Sequence, residues 1–231
     1  MGLSIYLAMT AWEYENCALP PEDPAWMACH FSSYGAGLSN IPEQFPPEGI
    51  LMVNDRIPPA AHSPDLIARQ LSEAVTALTP KAVILDFQRP FSAQTQAIAE
   101  KIQAALPCPV AVTQAYAQNW EGAVFLPPVP LGKKMEDFLQ QWKGRQIWLE
   151  VTKGAEQLML DAHGCNRQTP NQLPGMPVFH SPDLFCHYST QVAEDRATFS
   201  LWRTDEDLTD MLKKAEDFGV CAAVGLYQEF C

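Results

Sequence analysis

Three carboxylates lie at the ends of apolar runs in this sequence. Asp86 closes the run "AVILD", Asp55 follows "GILMVN", and Glu150 lies in "RQIWLEV". Two carboxylates that face one ligand can act as general acid and general base. We therefore predict that Asp86 is catalytic and that Asp55 or Glu150 supplies the second carboxylate.

The segments "NDRIPP" and "DFQRPF" share a local pattern, because each places an Asp shortly before an Arg and a Pro. Two loops of this kind could present two Asp–Arg pairs to one ligand. It is equally consistent with the pattern that each Arg neutralises its own Asp and fixes the loop, or that the Asp caps the next helix. We favour the pairing of each Arg with its own Asp, and the pattern by itself excludes neither a shared ligand nor a helix cap.

Amide and aromatic side chains lie near the predicted strand ends and could hold a ligand. Aromatic faces stack on sugar rings, whereas amides and carboxylates hydrogen-bond to hydroxyl groups. This mixture favours a neutral, polyhydroxylated small molecule or carbohydrate. The predicted substrate-binding residues are Gln88, Gln114, Tyr116, Trp202, Arg203 and Tyr227, of which Tyr116, Trp202 and Tyr227 would be stacking platforms.

The histidines and cysteines form no recognisable metal-binding or nucleophile motif. Histidines 30, 62, 163, 180 and 187 lack zinc-finger and HExxH spacing, and no GxSxG or phosphate-loop pattern occurs. We therefore expect no metal and no cofactor. Barrel metallohydrolases collect ligands from distant strand ends, so spacing alone leaves a metal site open.

Apolar strand-like runs alternate with helical patterns from Gly49 onward, which is typical of parallel βα units. The runs at 49–55, 81–87, 108–116, 122–128 and 145–152 predict strands, and 63–79, 92–106, 133–144 and 205–219 predict helices. The runs 185–192 and 197–204 predict a hairpin, and 153–165 could supply a further hairpin arm. The chain ends in a predicted strand at 220–230, and two more strands precede residue 40.

Eight of these strands suit a barrel if the second N-terminal run, the run near Ser200 and the last run are counted with the five central ones. We predict a compact (β/α)8 TIM-like barrel, with several helices reduced or missing and added β-hairpins, that forms a single domain over 1–231. An open, doubly wound sheet is the alternative, because periodicity does not distinguish a closed sheet from an open one.

The run "AVILDFQ" resembles the strand of family-18-type glycoside hydrolase barrels in which an apolar run ends in Asp-x-Glu. The closing "MLKKAEDFGVCAAVGLYQEF" is similar in outline to their last helix and strand. The resemblance implies a carbohydrate-handling barrel in which Asp86 partners a general acid. Gln88 fills the acid's position and has no acidic proton to donate, so a non-catalytic barrel for ligand binding or protein interaction is the alternative.

The net charge of −12 disfavours nucleic acid and anionic membranes as partners. The N-terminus resembles no signal peptide and the seven cysteines form no CxxC pair, so a cytoplasmic protein with reduced thiols is expected. The Pro-rich stretch 165–182 predicts a long loop, which could serve as a lid or a partner surface.

Overall fold

The computed structural model describes residues 3–34, 37–46, 48–59, 62–170 and 177–231. Its main feature is a closed parallel barrel, since β1 pairs with β14 on one side and with β2 on the other. The barrel strands are β1 (Ile5–Met9), β2 (Pro24–Phe31), β4 (Ile50–Asn54), β5 (Ala82–Asp86), β6 (Val110–Thr113), β7 (Ala123–Leu126), β8 (Ile147–Val151) and β14 (Val220–Leu226). The predicted TIM-like barrel is confirmed.

Side chains alternate between the inside and the outside of the barrel, as the pleat of a strand requires. Ile84, Phe125 and Trp148 belong to the cluster that fills the interior. Their chain neighbours, including Leu85 and Leu149, belong to the larger cluster between the barrel and its helices. Both faces of these strands are buried, which explains why their sequences are continuous apolar runs.

The helices that cover the barrel differ in length. The helices α2 (Pro64–Leu78), α3 (Ala93–Ala105) and α5 (Asp205–Ala215) are long, whereas α1 (Ala11–Asn16), α4 (Met135–Leu139) and α6 (Tyr227–Phe230) are short. Short 3-10 turns occupy Gln114–Tyr116, Gln140–Trp142 and Glu216–Phe218. The expected reduction of the helix between β6 and β7 is therefore confirmed.

A five-stranded antiparallel sheet is inserted between β8 and α5. Its strands are β9 (Ala155–Asp161), β10 (Gly164–Gln168), β11 (Phe179–Ser181), β12 (Cys186–Val192) and β13 (Arg196–Trp202), in the order β10-β9-β13-β12-β11. The predicted hairpin β12–β13 is present, and the run 153–165 supplies β9, which pairs with β13 and with the unpredicted strand β10. This inserted sheet extends from the carboxyl end of a barrel strand, the end at which TIM barrels place their sites.

Three expectations need correction. The strand that contains Ser200 is β13 of the inserted sheet, and β1 completes the barrel instead. Strands β10 and β11 occupy both ends of the predicted 165–182 loop, and residues 171–176 of that loop lie outside the described residues. The predicted last strand ends at Leu226, where α6 begins.

Two N-terminal features complete the fold. The short α1 lies between β1 and β2, and β3 (Leu38–Ser39) pairs antiparallel with the end of β2. Within the described part of the chain, no helix combines the length and the apolar character needed to cross a bilayer.

Candidate functional site at the barrel mouth

Asp86 and Glu150 both point into the barrel at its carboxyl end. Asp86 is two residues beyond the interior residue Ile84, and Glu150 is two residues beyond Trp148. The period of two along a strand places each carboxylate above the apolar interior. Two of the three acids named from the sequence are therefore brought to the same opening.

Gln88 holds the Asp86 side chain from above. Its Nε2 donates to Asp86 Oδ1 at 3.1 Å and to Asp86 Oδ2 at 3.2 Å. The Thr113 hydroxyl donates to the Phe87 carbonyl at 2.7 Å, which fixes the backbone between the two residues to the neighbouring strand. Gln88 is itself exposed, so its amide is accessible at the opening.

Asp55 lies on the other face of the sheet and does not contact the barrel interior. It is only 2% exposed. Its carboxylate accepts hydrogen bonds from the backbone N–H of Gln88 at 2.8 Å and from that of Arg89 at 3.1 Å. Asp55 thus positions the loop that carries Gln88, and its catalytic role stays a prediction.

The favoured pairing of each Arg with its own Asp is wrong. Asp55 is held by backbone amides and Asp86 by an amide side chain. The Arg89 guanidinium donates instead to the Arg56 carbonyl at 3.4 Å. The two loops are therefore joined to each other, from the strand end of β4 to the loop after β5.

The electrostatics of the opening favour protonated carboxyl groups. Burial raises the pKa of Glu150 to about 7, and the charges of Asp86 and Glu229 add to this effect. Burial also raises the pKa of Asp86; the Gln88 hydrogen bond opposes the rise and the Asp55 charge adds to it. Near neutral pH, Glu150 can therefore both donate and accept a proton.

A cleft opens above these residues, and we call it the mouth cleft. Its largest part has a volume of about 390 Å³. A second part of about 340 Å³ is lined by Asn54, Asp55 and Arg56, and a narrow part reaches down to Met52 and Val224. Residues that line the largest part include Asp86, Gln88, Thr113, Gln114, Phe125 and Glu150.

Tyr116 does not reach the mouth cleft as a stacking platform, because it is only 1% exposed. Its ring packs against Phe87 and stacks on Phe91 with 5.4 Å between the ring centroids. Phe91 is 61% exposed and follows Gln88 and Arg89 in the same loop. The exposed aromatic face in the loop that follows Gln88 therefore belongs to Phe91, and Tyr116 packs against it.

Trp202 and Arg203 were selected as ends of a barrel strand, but they end β13 of the inserted sheet. Trp202 is half-buried and stacks on His187. Arg203 is buried and donates to the carbonyls of Val129 at 2.7 Å and Phe185 at 3.3 Å. Arg203 therefore connects the inserted sheet to the chain after β7, and the strand-end argument for both residues is wrong.

The C-terminal acid and aromatic residue also lie apart from the lining described above. Glu229 accepts hydrogen bonds from the Thr152 hydroxyl at 2.7 Å and the Lys153 N–H at 2.9 Å, which fastens α6 to the end of β8. Tyr227 begins α6 beside Cys17 of the α1 end. Glu229 is thus a structural residue that also raises the pKa of Glu150.

Sequence reasoning missed Thr113 and Phe125 as lining residues, although both occupy inward positions near strand ends. It also missed a cluster formed by His180, His187 and Asp207 outside the barrel. The signal for the cluster was the hairpin register, which places His180 opposite His187. The six-residue connection between the two histidines contains the turn-forming residues Ser181, Pro182 and Asp183, but a turn signal does not by itself fix which residues of the two strands face each other.

Comparison with solved structures supports the architecture. The chain is similar to a glycoside hydrolase family 18 N-acetylglucosaminidase from Paenibacillus barengoltzii, with 9% identity over 98% of this chain and 95% of the other and a TM-score of 0.63. It is also similar to a Glu-to-Gln mutant of a class V chitinase from Nicotiana tobaccum in complex with NAG4, with 9% identity, coverage of 97% and 93%, and a TM-score of 0.61. A chitinase-like agglutinin from Robinia pseudoacacia matches with 11% identity, coverage of 77% and 75%, and a TM-score of 0.50.

No protein-family model and no curated protein sequence matches the chain. These structural matches have 9–11% identity, so they concern the fold. At that level they confirm the resemblance to family-18-type barrels that "AVILDFQ" indicated.

Proposed function

We propose that the mouth cleft binds a carbohydrate, and that the ligand is an oligomer of N-acetylated amino sugar. The observation that carries the proposal is the Asp86–Gln88 unit, in which one amide bonds both oxygens of an inward carboxylate at the mouth of the barrel. Such a unit offers acceptors and a donor to sugar hydroxyl and acetamido groups.

Phe91 and the size of the cleft support a sugar ligand. An exposed aromatic face backed by Tyr116 can stack on a sugar ring. A volume of about 390 Å³ is within the range of small-molecule sites. The ligand class is further supported by the structural neighbours, one of which carries NAG4 and another of which is an agglutinin.

In this proposal the barrel binds sugar without cleaving it. Glycoside hydrolysis needs a group that protonates the leaving oxygen, and the Gln88 carboxamide has no acidic proton to give. Asp86, bonded to Gln88, would then act as a hydrogen-bond acceptor for the ligand. Asp55 contributes by fixing the backbone of Gln88.

The test is calorimetric titration of the protein with N-acetylglucosamine oligomers of increasing length. We expect saturable binding that Gln88→Ala and Phe91→Ala each weaken by about tenfold, the effect of losing one good hydrogen bond or stacking contact. The control is Gln141→Ala, which removes an exposed glutamine at the opposite end of the barrel. Absence of binding by the wild type, or equal binding by all variants, would reject the mouth cleft as the sugar site.

A second candidate function is hydrolysis with Glu150 as the proton donor. It is favoured by one observation, the pKa of about 7 that leaves Glu150 partly protonated at neutral pH within the same cleft. In this case the wild type would turn over a chromogenic glycoside with a pH optimum near that pKa, and Glu150→Gln would abolish turnover. If only Gln88→Glu gains turnover, the binding proposal is supported and the Glu150 mechanism fails.

A further inference from the structure

His180 and His187 form a cross-strand pair in the inserted sheet. They are register partners in the antiparallel pair β11–β12, so both side chains project from the same face. The centroids of their imidazole rings are 4.8 Å apart. Two imidazoles are therefore presented side by side by a short hairpin.

Asp207 meets this pair from α5. Its Oδ1 lies 2.9 Å from His180 Nε2, and its Oδ2 lies 2.8 Å from His187 Nδ1. The carboxylate side chain is only 1% exposed, while those of His180 and His187 are 49% and 28% exposed. Three ligand-type atoms from three elements thus converge, all within 4.8 Å of one another.

The Asp207 carboxylate is held rigidly by the start of its own helix. Asp207 Oδ2 accepts from the Thr204 N–H at 2.8 Å and from the Thr204 hydroxyl at 2.9 Å, which forms a capping box. Outer hydrogen bonds of this kind orient metal ligands. The helix is anchored in turn, because Leu208, Met211 and Leu212 belong to the core around the barrel.

A cavity of about 200 Å³ opens beside the cluster. Glu206 and Asp210 line it together with Asp207, so the local potential is negative and attracts cations. The cavity leaves room for water or another ligand on the open side of an ion bound to the three side chains.

We propose that His180, His187 and Asp207 bind a divalent transition-metal ion of the zinc class, which clamps the β11–β12 hairpin to α5. Two imidazoles and one carboxylate suit such ions, whereas Mg²⁺ and Ca²⁺ take mainly oxygen ligands. Two ligands of one tetrahedral zinc ion lie about 3.4 Å apart, given metal–ligand distances of about 2.1 Å. The present contacts of 2.8 and 2.9 Å would therefore open by about half an ångström.

The test is a titration of the chelator-stripped 231-residue protein with Zn²⁺ in competition with a chromogenic chelator. We expect one site whose affinity falls by more than about 10-fold in His180→Ala and in His187→Ala, since even the loss of an outer partner costs that much. The control is His163→Ala, which removes an exposed histidine from the β9–β10 turn of the same sheet. Mg²⁺ should not compete.

Two further measurements separate this site from the exposed thiols, of which Cys165 lies in the same sheet. Co²⁺ bound at the cluster should show d–d absorption without the thiolate charge-transfer band. Zn²⁺ should also slow amide hydrogen exchange in β11 and β12 of the wild type but not of His187→Ala. The proposal is overturned if both histidine variants bind Zn²⁺ as the wild type does, or if Co²⁺ reports only thiolate ligands.

Discussion

The ends of β4 and β5 have similar sequences and opposite roles. Asn54 is the register partner of Asp86, so Asp55 is one position further along its strand than Asp86 is along the next. Because side chains alternate between faces, this offset of one residue places Asp86 inside the barrel and Asp55 outside it. Asp86 lines the largest part of the mouth cleft together with Glu150, whereas Asp55 is buried beneath the loop and borders only the second part.

The carboxylates of Asp55 and Asp86 differ in the hydrogen-bond donors that they have. Asp55 accepts hydrogen bonds from two backbone N–H groups, whose positions are fixed by the path of the chain. Asp86 accepts from one exposed side chain and faces a second acid, Glu150, across the cleft. A well-bonded acid stabilises the fold, whereas two crowded acids cost stability and remain available to a ligand.

The largest effect should come from Asp55. We expect Asp55→Ala to lower the free energy of unfolding by about 3 kcal/mol, because two hydrogen bonds from the N–H groups of Gln88 and Arg89 to a buried carboxylate would be lost. Urea denaturation measures the loss. Asp65→Ala is the control, since this exposed acid on α2 pairs with Lys101 at 2.8 Å and should contribute less than about 1 kcal/mol. Equal losses in the two variants would contradict the structural role of Asp55.

Substitution of Glu150 should instead raise the free energy of unfolding, and the size of this gain should depend on pH. Its pKa is raised from 4.5 to about 7 in the folded protein, so its contribution to stability is greatest below pH 4.5 and is lost as the pH rises to about 7. Glu150→Gln does not lose stability in this way, because glutamine does not ionise. We therefore expect the variant to gain on the order of 1–2 kcal/mol over the wild type between pH 4.5 and 8, after allowance for screening at the open mouth.

Urea denaturation at several pH values tests this expectation. The control is Glu100→Gln, an exposed acid of α3 that accepts a hydrogen bond from Gln96 at 2.8 Å. The difference between Glu150→Gln and the wild type should grow through the stated window and level off above it. A difference that is independent of pH would show that ionisation of Glu150 does not lower the free energy of unfolding.

Much of the barrel was predictable because its strands are buried on both faces and its long helices keep a 3.6-residue period. The run near Ser200 was wrongly assigned to the barrel. A strand of a barrel and a strand of an inserted sheet can have the same pattern of apolar residues, so the pattern does not distinguish them. Its partners, β9 and β12, are set by tertiary pairing that one run does not encode. The first run was excluded from the barrel although it supplies β1.

The site was predictable only in part. Asp86, Gln88, Gln114 and Glu150 lie at the mouth cleft because strand ends of one barrel must meet at one face. The roles of Asp55 and Tyr116 depended on which face of the sheet each residue takes and on how deeply it is buried. Those properties follow from the exact strand end and from packing, and both are poorly encoded by the local pattern.

Asp86 should show the smallest effect on stability and the clearest separation of stability from function. Burial raises its pKa, so its charge also costs stability above its folded-state pKa, and the Gln88 hydrogen bond offsets part of that cost. We expect Asp86→Asn to be as stable as the wild type or slightly more stable at pH 8, with Asp65→Asn as the control. Oligosaccharide titration of the same variant should show weaker binding, because an acceptor for sugar hydroxyls is lost. Loss of stability without loss of binding would place Asp86 with Asp55, as a structural acid, and would remove the contrast between the two strand ends.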